Sequence, residues 1–323
     1  MLRKSLLSLS LIGLLFTSCN KNSNSDQQEN KMDSLIVKQT GDLSFYIISD
    51  WGRNGYYFQK DVAQAMAFVA DNSEGPDFII SCGDNFQVNG VASVDDPLWI
   101  SSFESVYSHP TLLVDWFPCL GNHDYKGNTQ AQIDYSKKSR RWKMNAHYYS
   151  FSKEVTDSIH VRFICLDTPA LLKKYRNDSV KYPDACHQDS LAQLLWLEET
   201  LKNTTEEWII VYGHHPIFSA SKKHGDEEEL KKSILPLLEK YKVDFYLNGH
   251  DHDFQHLAPK DTKVEFLVNG TGATVRETAT NKHSLVSLSE PGFTRMSISN
   301  DSIFIQFINT QSKVVYKYAK SVN

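Results

Sequence analysis

Five short apolar runs in this 323-residue chain are each followed at once by Asp, Asn or His, and this recurrence constrains the fold more than any other feature. Most of these short polar stretches include a glycine, which is typical of a tight turn at the end of a strand. In open α/β sheets, ligands bind beyond the carboxyl ends of the strands, where several loops meet. We therefore predict that the five junctions converge on one site. They are Asp50, Gly83-Asp84-Asn85, Gly121-Asn122-His123-Asp124, Gly213-His214-His215-Pro216 and Gly249-His250-Asp251-His252.

Helical patterns separate most of these apolar runs, which is the alternation of βαβ units. A C-terminal segment, residues 264–318, instead has Val, Ile and Phe-rich runs separated by turn residues, and this predicts antiparallel β structure. We predict one compact domain of the α/β (α+β) class over residues 41–320, with two sheets between helices. The predicted strands are 43–49, 77–81, 116–120, 161–166, 207–212 and 243–247, and the predicted helices are 59–70, 99–107, 190–201 and 227–241.

The charge balance argues against nucleic acid as a partner. The chain has 34 Lys and Arg against 39 Asp and Glu, a formal net charge of −5, and it has no long basic run. Proteins that bind nucleic acid neutralise backbone phosphates with clustered Lys and Arg. We therefore expect a small-molecule substrate and no nucleic acid.

The N-terminus has the pattern of an export signal. Arg3 and Lys4 precede an apolar stretch at residues 6–16 that is too short to span a bilayer, and two small residues then precede Cys19. Small residues before a Cys at this place resemble a bacterial lipobox, in which the thiol carries the lipid. We predict a lipoprotein signal peptide over residues 1–19, a polar flexible tether over 20–40, and an exported, membrane-anchored protein in the periplasm or on the cell surface. The alternative is an ordinary cleaved signal peptide in which Cys19 is incidental.

The remaining cysteines do not have the spacing of a thiolate metal site. Three of them, Cys82, Cys119 and Cys165, lie in or beside apolar runs, where buried thiols are common. Cys186 lies in a polar stretch, where a disulfide is an open alternative. A metal site in this chain would therefore use carboxylate, amide and imidazole ligands.

That ligand set suits hydrolysis of a phosphate ester. Two metal ions a few ångströms apart neutralise the phosphoryl oxygens and lower the pKa of a shared water. Mixed oxygen and nitrogen ligands favour Fe, Zn or Mn over Ca or Mg. A carboxylate can bridge two ions, and Asp84, in the middle of the set, is the natural bridge.

The same succession of motifs resembles the calcineurin-like metallophosphoesterases, whose fold is a β-sandwich flanked by helices in four αββα layers. Within that superfamily the chain is similar to the purple, or tartrate-resistant, acid phosphatases, and the similarity extends over most of residues 43–310. The motifs that carry it are Gly83-Asp84-Asn85-Phe86, Leu166-Asp167-Thr168, Trp196-Leu197, His214-x-Pro216 and Gly249-His250-Asp251-His252.

The resemblance implies a role for each residue of the site. Asp50, Asp84 and His252 would hold the first metal, and Asp84, Asn122, His214 and His250 the second, with a hydroxide on or between the ions as the nucleophile. His123 and His224 would bind the phosphate or protonate the leaving oxygen. We expect the neighbours His215, Asp124 and Asp251 to support the site by hydrogen bonds and not to bind metal. The remaining histidines are interpreted as surface or core residues: His109, His147, His160, His187 and His256.

One position departs from the purple acid phosphatase pattern. That family has a tyrosine three residues after the bridging aspartate, and its phenolate binds ferric iron and gives the colour. This chain has Gln87 there, and an amide offers only a neutral oxygen. We expect two metal ions, Fe with Fe, Zn or Mn, with a weaker preference for ferric iron and no purple colour.

The sequence thus predicts a dinuclear metal-dependent phosphatase of the acid phosphatase type, acting on phosphomonoesters. One alternative keeps the metals and changes the substrate to a phosphodiester or a pyrophosphate. Another is a surface lipoprotein that has the fold without catalysis. Because all six ligands are present, the sequence favours an enzyme.

Overall fold

The computed structural model describes residues 42–321. The predicted signal peptide and most of the tether therefore lie outside the described residues. The strands are β1 (Leu43–Ile48), β2 (Phe78–Ser81), β3 (Asp115–Pro118), β4 (Tyr149–Thr156), β5 (Ile159–Cys165), β6 (Trp208–Tyr212), β7 (Phe245–Asn248), β8 (Phe254–Leu257), β9 (Glu265–Asn269), β10 (Ser284–Leu288), β11 (Gly292–Ile298), β12 (Ser302–Asn309) and β13 (Val314–Ser321). The α-helices are α1 (Gln59–Asp71), α2 (Thr129–Asp134), α3 (Lys173–Arg176), α4 (Ser190–Lys202), α5 (Glu228–Ser233) and α6 (Leu235–Lys240), and a π-helical turn covers Trp99–Glu104.

The strands form two mixed sheets. The first has the order β13-β12-β11-β1-β2-β3 and the second the order β10-β8-β9-β7-β6-β5-β4. Strands β1, β2 and β3 are parallel to one another, and so are β5, β6, β7 and β9. The predicted class, α/β (α+β) with two sheets, is confirmed, and the structure has few helices.

The register of the parallel strands brings their carboxyl ends level. In the first sheet Ile48 pairs with Ser81, which pairs with Pro118. In the second sheet Cys165 pairs with Tyr212, which pairs with Leu247. The loops that follow these strands therefore leave each sheet at a common edge.

Aromatic side chains join the two sheets. The Phe163 ring of β5 lies 5.3 Å from the rings of both Phe45 and Phe78, and Phe117 of β3 stacks on Phe151 of β4 at 3.9 Å. Burying each such side chain contributes roughly 1.5–3 kcal/mol. This apolar layer fixes the two sheets against each other and hence the strand ends that carry the polar motifs.

Some predicted elements differ from the structure. The helix expected over 227–241 is two short helices, α5 and α6, because Pro236 near the start of α6 lacks an N–H for the continuing helix. Strand β9, within the segment predicted to be antiparallel, pairs in parallel with β7 on one side and antiparallel with β8 on the other. The sequence patterns also missed β4 and β8.

The described residues also bear on the cysteines and on membrane spans. Cys82, Cys119 and Cys165 are buried thiols, and Cys186 is an exposed one, so none of the four is in a disulfide. From residue 42 to residue 321, no helix is both long enough and apolar enough to cross a membrane.

Candidate metal centre

The backbone is sharply turned at three of the strand ends. Asp50, Asp84 and His250 have φ angles of 59°, 49° and 69°, in the left-handed region that non-glycine residues seldom adopt. A strained backbone conformation of this kind costs on the order of 1–3 kcal/mol per residue, and it persists only where the surrounding structure holds the residue in place. Such residues cluster at functional sites. Three of the seven positive-φ non-glycine residues in the described part of the chain are thus predicted metal ligands.

Two glycines allow the strand ends to approach each other. A Cβ atom at Gly121 would lie 2.2 Å from the backbone nitrogen and from Oδ1 of Asp84. A Cβ atom at Gly249 would lie 1.9 Å from Oγ of Ser49 and 2.5 Å from Oδ2 of Asp50. Each glycine directly precedes a predicted metal ligand. No side chain would fit at either position, because the neighbouring loop is too close.

The Asp50 carboxylate is fully buried and held on both oxygens. Oδ2 accepts hydrogen bonds from Oγ of Ser49 at 2.7 Å and from the backbone N–H of His250 at 3.0 Å. Oδ1 lies 3.2 Å from Nε2 of His252, whose Nδ1 is 2.6 Å from Oγ1 of Thr274. Asp50 and His252 therefore meet as the prediction for the first metal requires.

Asp84 lies close to a predicted ligand of each metal, Asp50 for the first and His214 for the second. Its Oδ1 accepts a hydrogen bond from the backbone N–H of His123 at 2.8 Å and lies 3.5 Å from Nε2 of His214. The carboxylate is buried, with 2% of its surface exposed. Asp84 thus faces residues from loops of both sheets.

His214 directs a lone pair toward other acceptor atoms. Its Nδ1 lies 2.9 Å from the carbonyl oxygen of Cys82, which can only accept, so Nδ1 carries a proton and Nε2 of the neutral imidazole is an acceptor. Nε2 lies 3.2 Å from Oδ1 of Asn122 and 3.2 Å from Nδ1 of His250, besides its approach to Asp84. Electron-rich atoms at these distances repel one another unless a cation lies among them.

The donor set fits metal ions. Ligand atoms of Asp50, Asp84 and His214 all lie within 4.8 Å of one another. Among the ion pairs of residues 42–321, the two carboxylates are paired only with histidines. Burial, followed by repulsion from Asp50 and Asp124, raises the pKa of Asp84 well above its usual range. A pair of buried carboxylates without a Lys or Arg partner is stabilised by bound cations.

His215 belongs to a second group of three histidines, with His214 and His250, whose nitrogens also lie within 4.8 Å of one another. Both of its ring nitrogens already have partners, Oγ1 of Thr168 at 3.0 Å and the hydroxyl of Tyr175 at 2.8 Å. The geometry of His215 is that of a supporting residue, because neither nitrogen remains for a metal.

The two predicted substrate histidines lie beside this cluster. Nε2 of His123 is 3.9 Å from Oδ2 of Asp84, and its Nδ1 is 2.6 Å from the carbonyl oxygen of Val88. The ring of His224 lies 4.3 Å from that of His250. Burial lowers the pKa of both His123 and His224 to about 4. Both imidazoles are therefore neutral near pH 7 in the free protein.

Asp124 and Asp251 hold the loops and lie outside the cluster of candidate ligand atoms. Asp124 accepts hydrogen bonds from the backbone N–H groups of Asn85, Phe86 and Gly121 at 2.8–3.0 Å, and one from the side chain of Gln132 at 2.9 Å. Asp251 accepts one from Oγ of Ser219 at 2.5 Å. Asp124 thereby ties together the two loops that carry Asp84 and Asn122.

Three half-buried cations border the site and were not predicted from the sequence. Nζ of Lys126 lies 3.0 Å from Nδ1 of His123, and a guanidinium nitrogen of Arg276 lies 3.5 Å from Nε2 of His224. Arg53 donates a hydrogen bond to Oε1 of Gln87. Arg53 and Lys126 lie in loops that also carry predicted ligands, but no residue pattern in the sequence marks any of the three cations as bordering the site.

His147, interpreted from the sequence as a surface or core residue, also lies in a polar cluster. Its Nδ1 is 3.2 Å from Oδ2 of the buried Asp167, and the hydroxyl of Tyr125 donates to the same oxygen. Tyr125 follows Asp124 in the loop that carries His123. The contact anchors that loop to the end of β5, and the Leu166-Asp167-Thr168 motif was the only sequence signal for it.

Comparison with known proteins gives consistent results at the level of sequence and fold. The model of the calcineurin-like phosphoesterase family matches residues 43–254. Purple acid phosphatase 17 of Arabidopsis thaliana is 35% identical over 82% of this chain and 78% of its own length. Human tartrate-resistant acid phosphatase type 5 is 31% identical over 88% of this chain and 93% of its own.

Two solved structures are similar in fold. GAP50, described as the anchor in the inner membrane complex of Plasmodium, has a TM-score of 0.76 at 26% identity, covering 87% of this chain and 89% of its own. A purple acid phosphatase from yellow lupin (Lupinus luteus) seeds has a TM-score of 0.63 at 14% identity, covering 86% of this chain and 53% of its own. The fold therefore occurs in a protein named for anchoring as well as in a phosphatase.

Proposed function

This chain belongs to the calcineurin-like phosphoesterase family, and we propose that it is a dinuclear metal-dependent phosphatase that hydrolyses small phosphomonoesters at the site bridged by Asp84. The family match and the acid phosphatase relatives support the reaction class. The observation that carries the proposal for the site is the convergence of Asp84, His214 and Asn122 on one point, with acceptor atoms facing one another.

In this proposal the six residues divide into two sets that share Asp84. Asp50, Asp84 and His252 hold one ion, and Asp84, Asn122, His214 and His250 hold the other. Bound there, two ions would neutralise phosphoryl oxygens and activate water. All six residues are buried, so the site is largely shielded from bulk water and electrostatic interactions within it are strong.

His123 and His224 act on the substrate. Nδ1 of His123 contacts the carbonyl of Val88 and the Lys126 ammonium, so its Nε2 faces the site. A phosphate dianion beside this ring favours the protonated imidazole, which then donates a proton from Nε2 to the leaving oxygen. His224, next to His250 and Arg276, contacts the phosphate from the other side.

The metal pair is proposed to combine Fe with Fe, Zn or Mn, without a ferric phenolate. Gln87 occupies the position of the family tyrosine, and a neutral amide does not stabilise a trivalent ion as an anionic oxygen does. We expect purified, metal-replete protein to lack a purple charge-transfer band. An absorption spectrum checks this, and a purple protein would contradict it.

The monoester assignment is tested against the diester alternative by comparing p-nitrophenyl phosphate with bis-p-nitrophenyl phosphate. We expect a higher kcat/KM for the monoester, because His123, Lys126 and Arg276 surround the site with donors suited to a dianion. A strong preference for the diester would overturn the monoester assignment. Hydrolysis of neither compound by metal-replete protein would favour the binding-only alternative, since a fold alone does not specify catalysis.

We also propose that the protein is an exported lipoprotein anchored through Cys19, on the N-terminal pattern alone. Mass spectrometry of the mature N-terminus tests this. A lipidated Cys19 as the first residue is expected. A mature protein that begins elsewhere, without lipid, would contradict it.

A further inference from the structure

Gln87 lies between a guanidinium group on one side and two carboxylates on the other. Its Oε1 accepts a hydrogen bond from Arg53. Its Nε2 lies 3.4 Å from Oδ1 of Asp50 and 3.5 Å from Oδ2 of Asp84. The side chain is buried, with 4% of its surface exposed, so no bulk water competes for these contacts.

Chemistry on both sides fixes the direction of the amide. A guanidinium has only donors, so the atom facing Arg53 must be the amide oxygen. Carboxylates only accept, so the atom facing Asp50 and Asp84 must be the amide nitrogen. The reversed amide would place donor against donor at Arg53 and oxygen against two anions at the other end. Because the Gln87 side chain is buried, water would not satisfy the mismatched amide.

Arg53 is itself held in place. Its backbone N–H donates to Oε1 of Gln59 at 3.0 Å, and its guanidinium carbon lies 5.5 Å from the centre of the Tyr57 ring. Within residues 42–321, no ion pair links Arg53 to a carboxylate, and Gln87 is its side-chain hydrogen-bond partner. Rotating the Gln87 amide would therefore leave the guanidinium facing donors alone.

We propose that Arg53 is a positioning residue, which holds Gln87 as a hydrogen-bond donor to Asp50 and Asp84 and so keeps its oxygen from binding metal. The inference rests on the proposed function, since it assumes that the two carboxylates hold metal ions. It assigns Gln87 a supporting role: the amide binds one oxygen of each carboxylate and directs the remaining lone pairs toward the ions. The first metal then has three protein ligands, Asp50, Asp84 and His252.

The test uses the metal-free protein reloaded with Co²⁺, because the intensity of the visible bands of Co²⁺ falls as its coordination number rises. The variants are Gln87→Leu, Arg53→Met and the double variant. Lys60→Met is the matched control, since it removes an exposed cation that lies shortly after Arg53 in the sequence. Cobalt content, apparent Kd by competition with a chelator, band intensity and the midpoint of thermal unfolding are measured for each.

Gln87→Leu is expected to keep two Co²⁺ ions and the wild-type band intensity, with an apparent Kd about 10-fold weaker, as for loss of a residue that supports a ligand. Arg53→Met is expected to lower the band intensity, because the released amide turns its oxygen to the metal. The double variant is expected to regain the wild-type intensity, and Lys60→Met to leave every readout unchanged.

A change of band intensity in Gln87→Leu alone would overturn the inference, since it would show that Gln87 is a ligand. An unchanged spectrum in folded Arg53→Met would overturn the role of Arg53. If Arg53→Met does not fold, the band intensity of Gln87→Leu alone tests whether Gln87 is a metal ligand. Wild-type protein that binds two ions and hydrolyses p-nitrophenyl phosphate leaves the proposed function standing when the inference fails. Wild-type protein that binds no cobalt and is inactive overturns both.

Discussion

Nε2 of His214, a residue of the loop after β6, lies 3.5 Å from Oδ1 of Asp84, a residue of the loop after β2. The two strands belong to different sheets. Packing of the sheets therefore brings a carboxylate from one and an imidazole from the other to the same point. Because Nδ1 of His214 donates a hydrogen bond to the carbonyl of Cys82, Nε2 of the neutral imidazole presents a lone pair to the Asp84 carboxylate, and a cation between the two atoms would stabilise both.

Replacing His123 should reduce turnover without removing metal. In His123→Asn we expect kcat to fall about 10²-fold to 10⁴-fold, the usual contribution of a positioned acid or base, with metal content unchanged. Steady-state kinetics and metal analysis on one preparation check this. His160→Asn, at the opposite end of β5, serves as the control. Loss of bound metal in His123→Asn would mean that His123 is a ligand and contradict its assigned role.

Removing the Asp124 carboxylate should destabilise the fold and misplace the site. Asp124→Ala leaves three backbone N–H groups and the Gln132 amide without their acceptor, all in buried positions. We expect a loss of roughly 3 kcal/mol or more in the free energy of unfolding. Urea unfolding checks this against Asp157→Ala, an exposed turn position. Equal stabilities of the two variants would contradict the anchoring role.

The metal-free protein should lose stability as the pH falls through the range in which the unfolded chain, but not the folded one, protonates His123 and His224. Burial lowers the pKa of His123 and His224 from 6.5 to about 4 in the folded state. Between about pH 4 and 6.5 the unfolded chain therefore binds more protons, and stability rises with pH. In EDTA, the unfolding midpoint of wild type should fall more from pH 6.5 to 4.5 than that of His123→Asn/His224→Asn. An equal or steeper fall in the double variant would contradict the pKa shifts.

Most of the site could be predicted because each of its motifs is local. An apolar run followed by Gly and a polar residue marks both a strand end and a ligand, and parallel strands bring such ends to one edge. Asp50, Asp84 and His250 needed no long-range information beyond that rule. The structure adds that these three have left-handed backbone conformations, which the residue types alone did not indicate.

The supporting contacts could not be predicted because they join residues far apart in sequence. Arg53, in the loop that carries Asp50, reaches Gln87, and His147 reaches Asp167, but no residue pattern in the sequence predicts either contact. Gln87 was expected to offer its oxygen to a metal, and only the position of Arg53 reveals that the amide faces the other way. Strand β4 was missed because it is partly exposed and lacks a continuous apolar run.

The central claim is that Asp84 bridges two metal ions on which hydrolysis depends. The most direct measurement is metal content and p-nitrophenyl phosphate hydrolysis of wild type and Asp84→Ala, purified and reloaded together. The account predicts two ions and activity in wild type, and loss of both ions with a fall in kcat of at least about 10³-fold in the variant. An Asp84→Ala protein that keeps two ions, or hydrolyses the ester at the wild-type rate, would contradict it.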